Sequence, residues 1–327
     1  MSKARASGGD LRWLSAAACL AERGRPLSRP NPAVGCILVK DDRVIARGWT
    51  QPGGRPHAEA MALAAAGAMA KGATAYVTLE PCAHDSARGP CCAGLLAGAG
   101  VAKVVVGAND PDPRTAGSGN AMLRGAGITV VEVEHEGCAA SLAGYLTRSA
   151  LGRPFVTLKL ALSLDGCIAL ASGESQWITG TAARAHTHLE RARHDAILVG
   201  GGTLRADNPR LDVRLPGLEA RSPDRWVLTR GDAPDGWQAL RDPADLSALA
   251  PAQYLFVEGG AHTAAAFLAA DAVDRLLVYR APIVVGGGRA GVADIGLGSL
   301  SDAHGRWRQV DRRTLGTDTL EVYARTR

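Results

Sequence analysis

Aromatic residues are scarce: Phe, Trp and Tyr make up 4% of the 327 residues. A protein that stacks bases on exposed rings needs more of them, which disfavours a base-stacking nucleic-acid platform. The 37 Lys and Arg residues form no basic run of five or six, so the net charge of +5 suits a phosphorylated metabolite better than nucleic acid. No apolar run approaches the ~20 residues of a membrane span, and no membrane partner is expected. Leu11–Ala21 loosely resembles a signal peptide, but Glu22, Arg23 and Arg25 follow at once with no clear small-residue cleavage site. An amphipathic first helix is the plainer reading. The seven cysteines are an odd number, unlike the even set of a secreted disulfide framework. A reducing cytoplasm is expected, with some thiols kept for metal.

What is plentiful is small and apolar. Hydrophobic residues reach 46%, with 40 glycines, which suits Ala/Gly-rich α/β packing. The length predicts two domains, 1–150 and 151–327, joined at Leu151-Gly152-Arg153-Pro154. In the first half, helices are predicted near Asp10–Glu22, His57–Ala70, Pro90–Ala99, Gly119–Ala126 and Glu136–Ser149. Strands are predicted at Val34–Lys40, Arg43–Gly48, Thr74–Leu79, Val101–Val106 and Ile128–Val133. The alternation restarts at Phe155–Leu162. It continues through helix Thr181–Ala192, strands Ala196–Val199, Arg225–Thr229 and Tyr254–Val257, helix Thr263–Ala270 and strand Arg275–Tyr279. Strands alternating with helices imply largely parallel sheets covered by helices. Gly231–Ala252 is polar and Pro-rich and takes no predicted element.

One constellation carries metal chemistry. His57-Ala58-Glu59 opens a helix, Pro81-Cys82 follows a strand end, and Cys91 comes nine positions later. One imidazole and two thiolates leave a zinc ion one open position for water. Glu59 is the candidate catalytic proton carrier, and His57, Cys82 and Cys91 are the candidate metal ligands. A thiolate on Cys91 gains from the N–H groups of the helix it begins. Cys92 is expected to be a packing residue, and Cys19, Cys36, Cys138 and Cys167 small apolar fillers. The order matches the logic of zinc deaminases, although eight residues rather than two separate the cysteines.

In the second half, two strands end in glycine-rich turns, Gly200–Gly202 and Gly259-Gly260. Such turns let a backbone approach a phosphate, and the helix after the second suits a pyrophosphate. Gly286-x-Gly288-x-x-Gly291 spells a dinucleotide fingerprint, but no convincing helix follows, and it reads as a loop.

Asn31-Pro32-Ala33-Val34-Gly35-Cys36, Pro56-His57-Ala58-Glu59, Tyr76–His84 and Asp110-Pro111-Asp112-Pro113 resemble the bifunctional deaminase–reductases of riboflavin biosynthesis. So do Ser163-Leu164-Asp165-Gly166, Gly173–Gly180, Asp195–Thr203, Asp207–Leu211 and Val257–Gly260 in the second half. The resemblance implies a cytidine-deaminase-like three-layer domain followed by a dihydrofolate-reductase-like domain. It implies zinc-dependent deamination of 2,5-diamino-6-(5-phosphoribosylamino)pyrimidin-4-one. NADPH reduction to 5-amino-6-(5-phosphoribitylamino)uracil would follow.

By that match, Asn31 and His84 contact the pyrimidine. Ala161, Trp177, Thr203, Asp207 and Gly260 line the NADPH site. Ser175, Arg191, Leu211, Arg214 and Glu258 hold the substrate, with Arg191 and Arg214 suited to its phosphate. Lys159 and Asp165 are expected to position others. Thr50 stands where the family usually has His, Ala87 where it has a basic residue, and Thr229-Arg230 where it often has Asp-Ser. Three alternatives stay open: a live reductase with an impaired deaminase, a base-modifying nucleic-acid protein, and a noncatalytic zinc module. A homo-oligomer is expected.

Overall fold

The computed structural model describes residues 6–85, 88–250 and 252–327. The chain forms two compact units, Met1–Gly152 and Arg153–Arg327.

The first unit runs α1 (Gly8–Ala21), β1 (Gly35–Lys40), β2 (Arg43–Trp49), α2 (Ala58–Ala66), β3 (Thr74–Val77), α3 (Cys92–Gly98) and β4 (Lys103–Val106). It closes with α4 (Ser118–Gly125), β5 (Thr129–Glu132), α5 (Glu136–Ser141) and α6 (Ala143–Leu151). The sheet order is β2-β1-β3-β4-β5. Side chains alternate across it, as a strand's two-residue period requires. Ile37, Val39, Tyr76 and Val105 pack with α1, while Cys36, Leu38, Ala75, Val104 and Val106 pack with α2, α3 and α4. The result is the expected three-layer α/β unit.

Three local readings change. The sheet is mixed rather than largely parallel, because β1 is antiparallel to both β2 and β3. The cause is the two-residue hairpin at Asp41-Asp42, both in the left-handed region (φ 50° and 55°), which reverses the chain. The predicted helix at 136–149 is two helices that meet at Leu142. Cys19 is exposed, whereas Cys36, Cys138 and Cys167 are buried as expected. At Gly48 a Cβ would lie 2.1 Å from the Ala58 carbonyl oxygen, so only glycine lets β2 run so close under the start of α2.

The second unit runs β6 (Phe155–Leu162), β7 (Cys167–Ala169), α7 (Thr181–Arg191), β8 (Ala196–Gly200), α8 (Gly201–Asp207), β9 (Asp224–Leu228) and β10 (Gln238–Leu240). It continues β11 (Tyr254–Val257), α9 (Ala261–Ala269), β12 (Arg275–Arg280), β13 (Arg289–Ala290), β14 (Trp307–Leu315) and β15 (Asp318–Arg325). The main sheet has the order β10-β9-β8-β11-β6-β12-β15-β14, parallel except for β15, which pairs antiparallel with both β12 and β14. Leu198, Leu255, Val257 and Val278 face α9, and Ile197, Val199, Phe256 and Tyr279 face Ala183 of α7. The hairpin β14–β15 was not predicted, since β14 is the exposed, Arg-rich edge of the sheet and carries little apolar signal.

A buried polar knot ties α7 to this sheet. Glu190 sits 2.7 Å from Arg275, whose Nε donates to the Thr157 hydroxyl at 3.2 Å. Burial would raise the Glu190 carboxyl, but Arg275, His194, Arg193 and His186 hold it down to about 2. Its stabilisation is therefore present above the ordinary glutamate range and lost as pH falls toward 2. Glu190→Gln is expected to destabilise the second unit by about 3 kcal/mol at pH 7. Urea titrations should show the gap to wild type closing as pH drops below 4.5; a gap independent of pH would rule out this account.

Candidate active sites

His57 caps α2 with extended backbone (φ −71°, ψ 163°), which presents its ring at the helix mouth. Its Nδ1 lies 3.3 Å from Cys92 Sγ and 3.6 Å from Cys82 Sγ. The three donor atoms all lie within 4.8 Å of one another. With Zn–S bonds near ~2.3 Å and Zn–N near ~2.1 Å, such a triangle fits a zinc ion with one position left open.

The Cys92 amide donates to Cys82 Sγ at 3.3 Å. The hydrogen bond from the Cys92 side chain holds the Cys82 thiol down to about 4 against burial, with His57 assisting. The same bond and burial push Cys92 well up, so Cys82 is the thiolate of the pair and Cys92 its donor. A bound metal would take the place of that shared proton.

The expected ligand set is His57, Cys82 and Cys91, with Cys92 in packing; the geometry groups the adjacent Cys92, rather than Cys91, with His57 and Cys82. Helix α3 starts at Cys92, leaving Cys91 as its extended cap. The Cys91 sulfur rests 4.0 Å from Met122 Sδ, and its amide donates to Asp85 at 2.7 Å. Burial raises the Cys91 thiol, and Asp85 adds to that.

Glu59 lies in the first turn of α2 and is only 3% exposed. Burial raises its carboxyl, with His57 opposing. A carboxyl raised above its ordinary range, beside an imidazole–sulfur group, can both take and return a proton. Asn31 Nδ2 donates to the Gly54 carbonyl at 3.0 Å and lies 3.1 Å from His57 Nε2, on the opposite side of the ring from the sulfurs. His84 is half-buried and its shielded Nδ1 has no hydrogen-bond partner among the described residues.

The departures also find places. Thr50 is 1% exposed and its hydroxyl accepts from the Val34 amide at 2.9 Å, an architectural role. Ser86 and Ala87 lie outside the described residues, and Arg88 donates to the Gly53 carbonyl at 3.0 Å.

Sequence reasoning gave Glu80 no role. Its buried carboxylate accepts from the amides of Gly117 and Asn120, at 3.0 and 3.1 Å, and so clamps the start of α4 to the Pro81-Cys82 turn. An acid wedged between a strand and Pro81 was the available signal.

In the second unit, Arg191 binds Glu258 through two hydrogen bonds of 2.6 and 3.0 Å, both side chains nearly buried. Burial would raise the Glu258 carboxyl, but Arg191 and Lys159 bring it below its ordinary range. Lys159 is lowered by burial, with Glu258 opposing. Arg191 also donates to the Asp212 carbonyl at 3.0 Å, and His188 links that stretch to Arg214. Arg191, Glu258 and Arg214 are thus brought into one neighbourhood.

Thr203 and Gly260 meet where α8 and α9 begin: a Cβ on Gly260 would be 3.8 Å from Thr203 Oγ1. Asp207 is exposed at the end of α8, and Ala161 is half-buried on β6. Trp177 is 64% exposed beneath the Arg184 guanidinium and lines a cavity of about 350 Å³ with Thr179, Gly180 and Pro282. Ser175 is half-buried in the same loop. Arg214 lines a separate cavity.

Two readings are revised here. Leu211 is 4% exposed and packs in the core, with its backbone in the left-handed region (φ 56°). Gly200 and Gly259 were read as phosphate glycines, yet a Cβ on either would strike Thr263, at 2.2 and 2.3 Å. They make room for that wedge, and Gly202 and Gly260 remain the approachable ones. The Gly286–Gly291 stretch enters the short strand β13, with no helix after it. Asp165 anchors it by accepting from the Val285 and Gly286 amides at 3.1 and 2.7 Å.

Comparison with known proteins agrees with both halves. The zinc-binding region of cytidine and deoxycytidylate deaminases matches residues 9–108, and the RibD C-terminal domain matches 154–320. The riboflavin biosynthesis protein RibD of Escherichia coli is 40% identical, over 90% of this chain and 94% of its own. That of Mycobacterium tuberculosis is 39% identical, over 89% and 90%. Among solved structures, Acinetobacter baumannii RibD superposes with a TM-score of 0.84 at 36% identity, covering 98% of this chain and 99% of its own. A Thermotoga maritima diaminohydroxyphosphoribosylaminopyrimidine deaminase/5-amino-6-(5-phosphoribosylamino)uracil reductase superposes at 0.86 with 30% identity, covering 97% and 99%.

The two adjacent cysteines can be told apart by metal content. Cys92→Ser and Cys82→Ala are expected to purify without stoichiometric zinc, and Cys91→Ser to retain it. Zinc retained by Cys92→Ser and lost from Cys91→Ser would return the ligand to Cys91.

Proposed function

This chain belongs to the RibD family of bifunctional deaminase–reductases in riboflavin biosynthesis, and from that membership we propose how its residues divide the two reactions. The family's deaminase domain binds zinc and its reductase domain uses NADPH. We assign the first reaction to Met1–Gly152 and the second to Arg153–Arg327, with the substrate and product named above. The name of the Thermotoga neighbour supports that chemistry.

His57, Cys82 and Cys92 would hold the zinc. When bound, zinc supplies the Lewis acidity that makes water nucleophilic near neutral pH. Glu59 accepts the proton that the attacking water gives up and delivers it to the departing amine, so water and amine become a carbonyl and ammonia. Its buried position keeps that proton from bulk solvent. Asn31 and the open Nδ1 of His84 hold the pyrimidine. The observation that carries this reading is the buried Glu59 beside the imidazole–sulfur group.

In the second unit, NADPH supplies the hydride. Ala161, Trp177, Thr203, Asp207 and Gly260 would line its site. Arg191, Glu258, Ser175, Arg214 and the Leu211 backbone would hold the phosphoribosyl substrate, with Lys159 supporting Glu258. Among the described residues no helix is long and apolar enough to cross a membrane. A cytoplasmic homo-oligomer without nucleic-acid partners completes the proposal.

Separate assays of ammonia release and NADPH oxidation test the division. Glu59→Gln should keep its zinc and lose ammonia release by about 10²-fold or more. NADPH oxidation on pre-deaminated substrate should persist. Arg191→Lys, which breaks a planar two-bond pair, should slow NADPH oxidation by about tenfold or more and spare ammonia release. Full ammonia release by Glu59→Gln would remove it from the mechanism.

A further inference from the structure

The cavity beside Arg214 has a volume of about 420 Å³ and is lined by Arg210, Asp212, Arg214, Glu219 and Ser222, among others. Two arginines facing a cavity call for an anion. Between them stands a carboxylate: Asp212 Oδ2 is 2.5 Å from Arg210, and Oδ1 is 3.7 Å from Arg214 Nη1. That second contact is too long for a hydrogen bond. Asp212 Oδ1 is shielded from solvent yet has no hydrogen-bond partner among the described residues. An acceptor left in that condition is costly.

The surroundings fix the backbone while leaving the carboxylate unsatisfied. The Asp212 carbonyl receives Arg191 at 3.0 Å and lies 3.1 Å from His188 Nδ1. Arg214 Nη2 lies 3.3 Å from His188 Nε2. Burial, then the charges of Arg191 and Arg214, lower His188 below its ordinary range, with Glu258 opposing. The Arg214 amide donates to His188 Nδ1 at 3.3 Å, so His188 bridges the Asp212 carbonyl to both the backbone and the guanidinium of Arg214. Arg214 is aimed, Asp212 is tethered by its backbone and by Arg210 at Oδ2, and only Oδ1 is loosely held.

We infer that Asp212 is a resident counter-anion, which the substrate's phosphomonoester displaces from Arg214, leaving the carboxylate paired with Arg210. This rests on the proposal that Arg214 receives the substrate phosphate. The carboxylate keeps the arginines gathered in the free enzyme. It also sets a threshold for entry: an incoming group must outcompete a carboxylate, as a dianion with three acceptor oxygens does and a neutral hydroxyl does not. Asp212 thereby contributes to selection of phosphorylated over dephosphorylated substrate.

The test measures inorganic phosphate binding calorimetrically, and phosphate inhibition of NADPH oxidation, on the full chain. Asp212→Asn is nearly isosteric and should tighten phosphate binding by about three- to tenfold, the range of a partly exposed charge contact. It should lower the KM of the phosphorylated substrate in parallel. Arg210→Ala should weaken phosphate binding, and adding Asp212→Asn to it should restore part of the loss. Phosphate binding unchanged or weakened in Asp212→Asn, with an unaltered melting temperature, would overturn the inference. Arg214→Ala separates the two levels. If it leaves phosphate binding untouched, the phosphate reading itself fails. If it abolishes binding while Asp212→Asn has no effect, only the counter-anion role is lost.

Discussion

Everything in the first unit turns on bringing one imidazole nitrogen and two sulfurs within 4.8 Å of each other in a partly buried corner. No single element could do this. His57 comes from the cap of α2, Cys82 from beyond the end of β3 and Cys92 from the start of α3. Each depends on a neighbour for its position. Gly48 lets β2 run against the first turn of α2, and Glu80 staples the turn carrying Cys82 to α4. The same packing buries Glu59 and raises its carboxyl, so the force that assembles the ligand set also sets the proton carrier.

The second unit has a different electrostatic constraint. Lys159, Arg191 and Glu258 converge near the carboxyl end of a parallel sheet, where strands deliver polar groups to a ligand. Burying Glu258 would be unfavourable alone, and the two-bond pair with Arg191 makes it tolerable. A buried charge cluster fixes geometry more than it stabilises the fold. The knot of Glu190, Arg275 and Thr157 does comparable work on the other side, holding the α7 helix that carries Arg191.

Most of the fold was legible, because its signals are local: β-branched runs for strands, Ala-rich stretches for helices, glycines at their ends. What escaped depended on three dimensions. The Asp41-Asp42 hairpin was visible, but its consequence, a mixed sheet, depended on where β3 would pair. The hairpin β14–β15 was hidden because an exposed edge needs few apolar residues. At the metal group the motif was readable, yet the choice between Cys91 and Cys92 hangs on one residue of helix start, finer than spacing resolves. Gly200 and Gly259 illustrate the opposite error: glycines at strand ends suggested phosphate, whereas Thr263 occupies the space they free.

The two sites can be read by the charge each leaves unbalanced. Around His57 the chain gathers two sulfurs and the Glu59 carboxyl against one imidazole, a group that becomes stable with both sulfurs ionised only if a cation joins it. Around Arg214 the imbalance is reversed. Lys159, Arg191, Arg210 and Arg214 stand against Glu258, Asp212 and Glu219, an excess of positive charge that favours an anion. On the proposed reading, one half gathers donors for a metal ion and the other gathers cations for a phosphate. Family likeness supplies the names of the molecules, but the sign of each missing charge follows from the side chains alone.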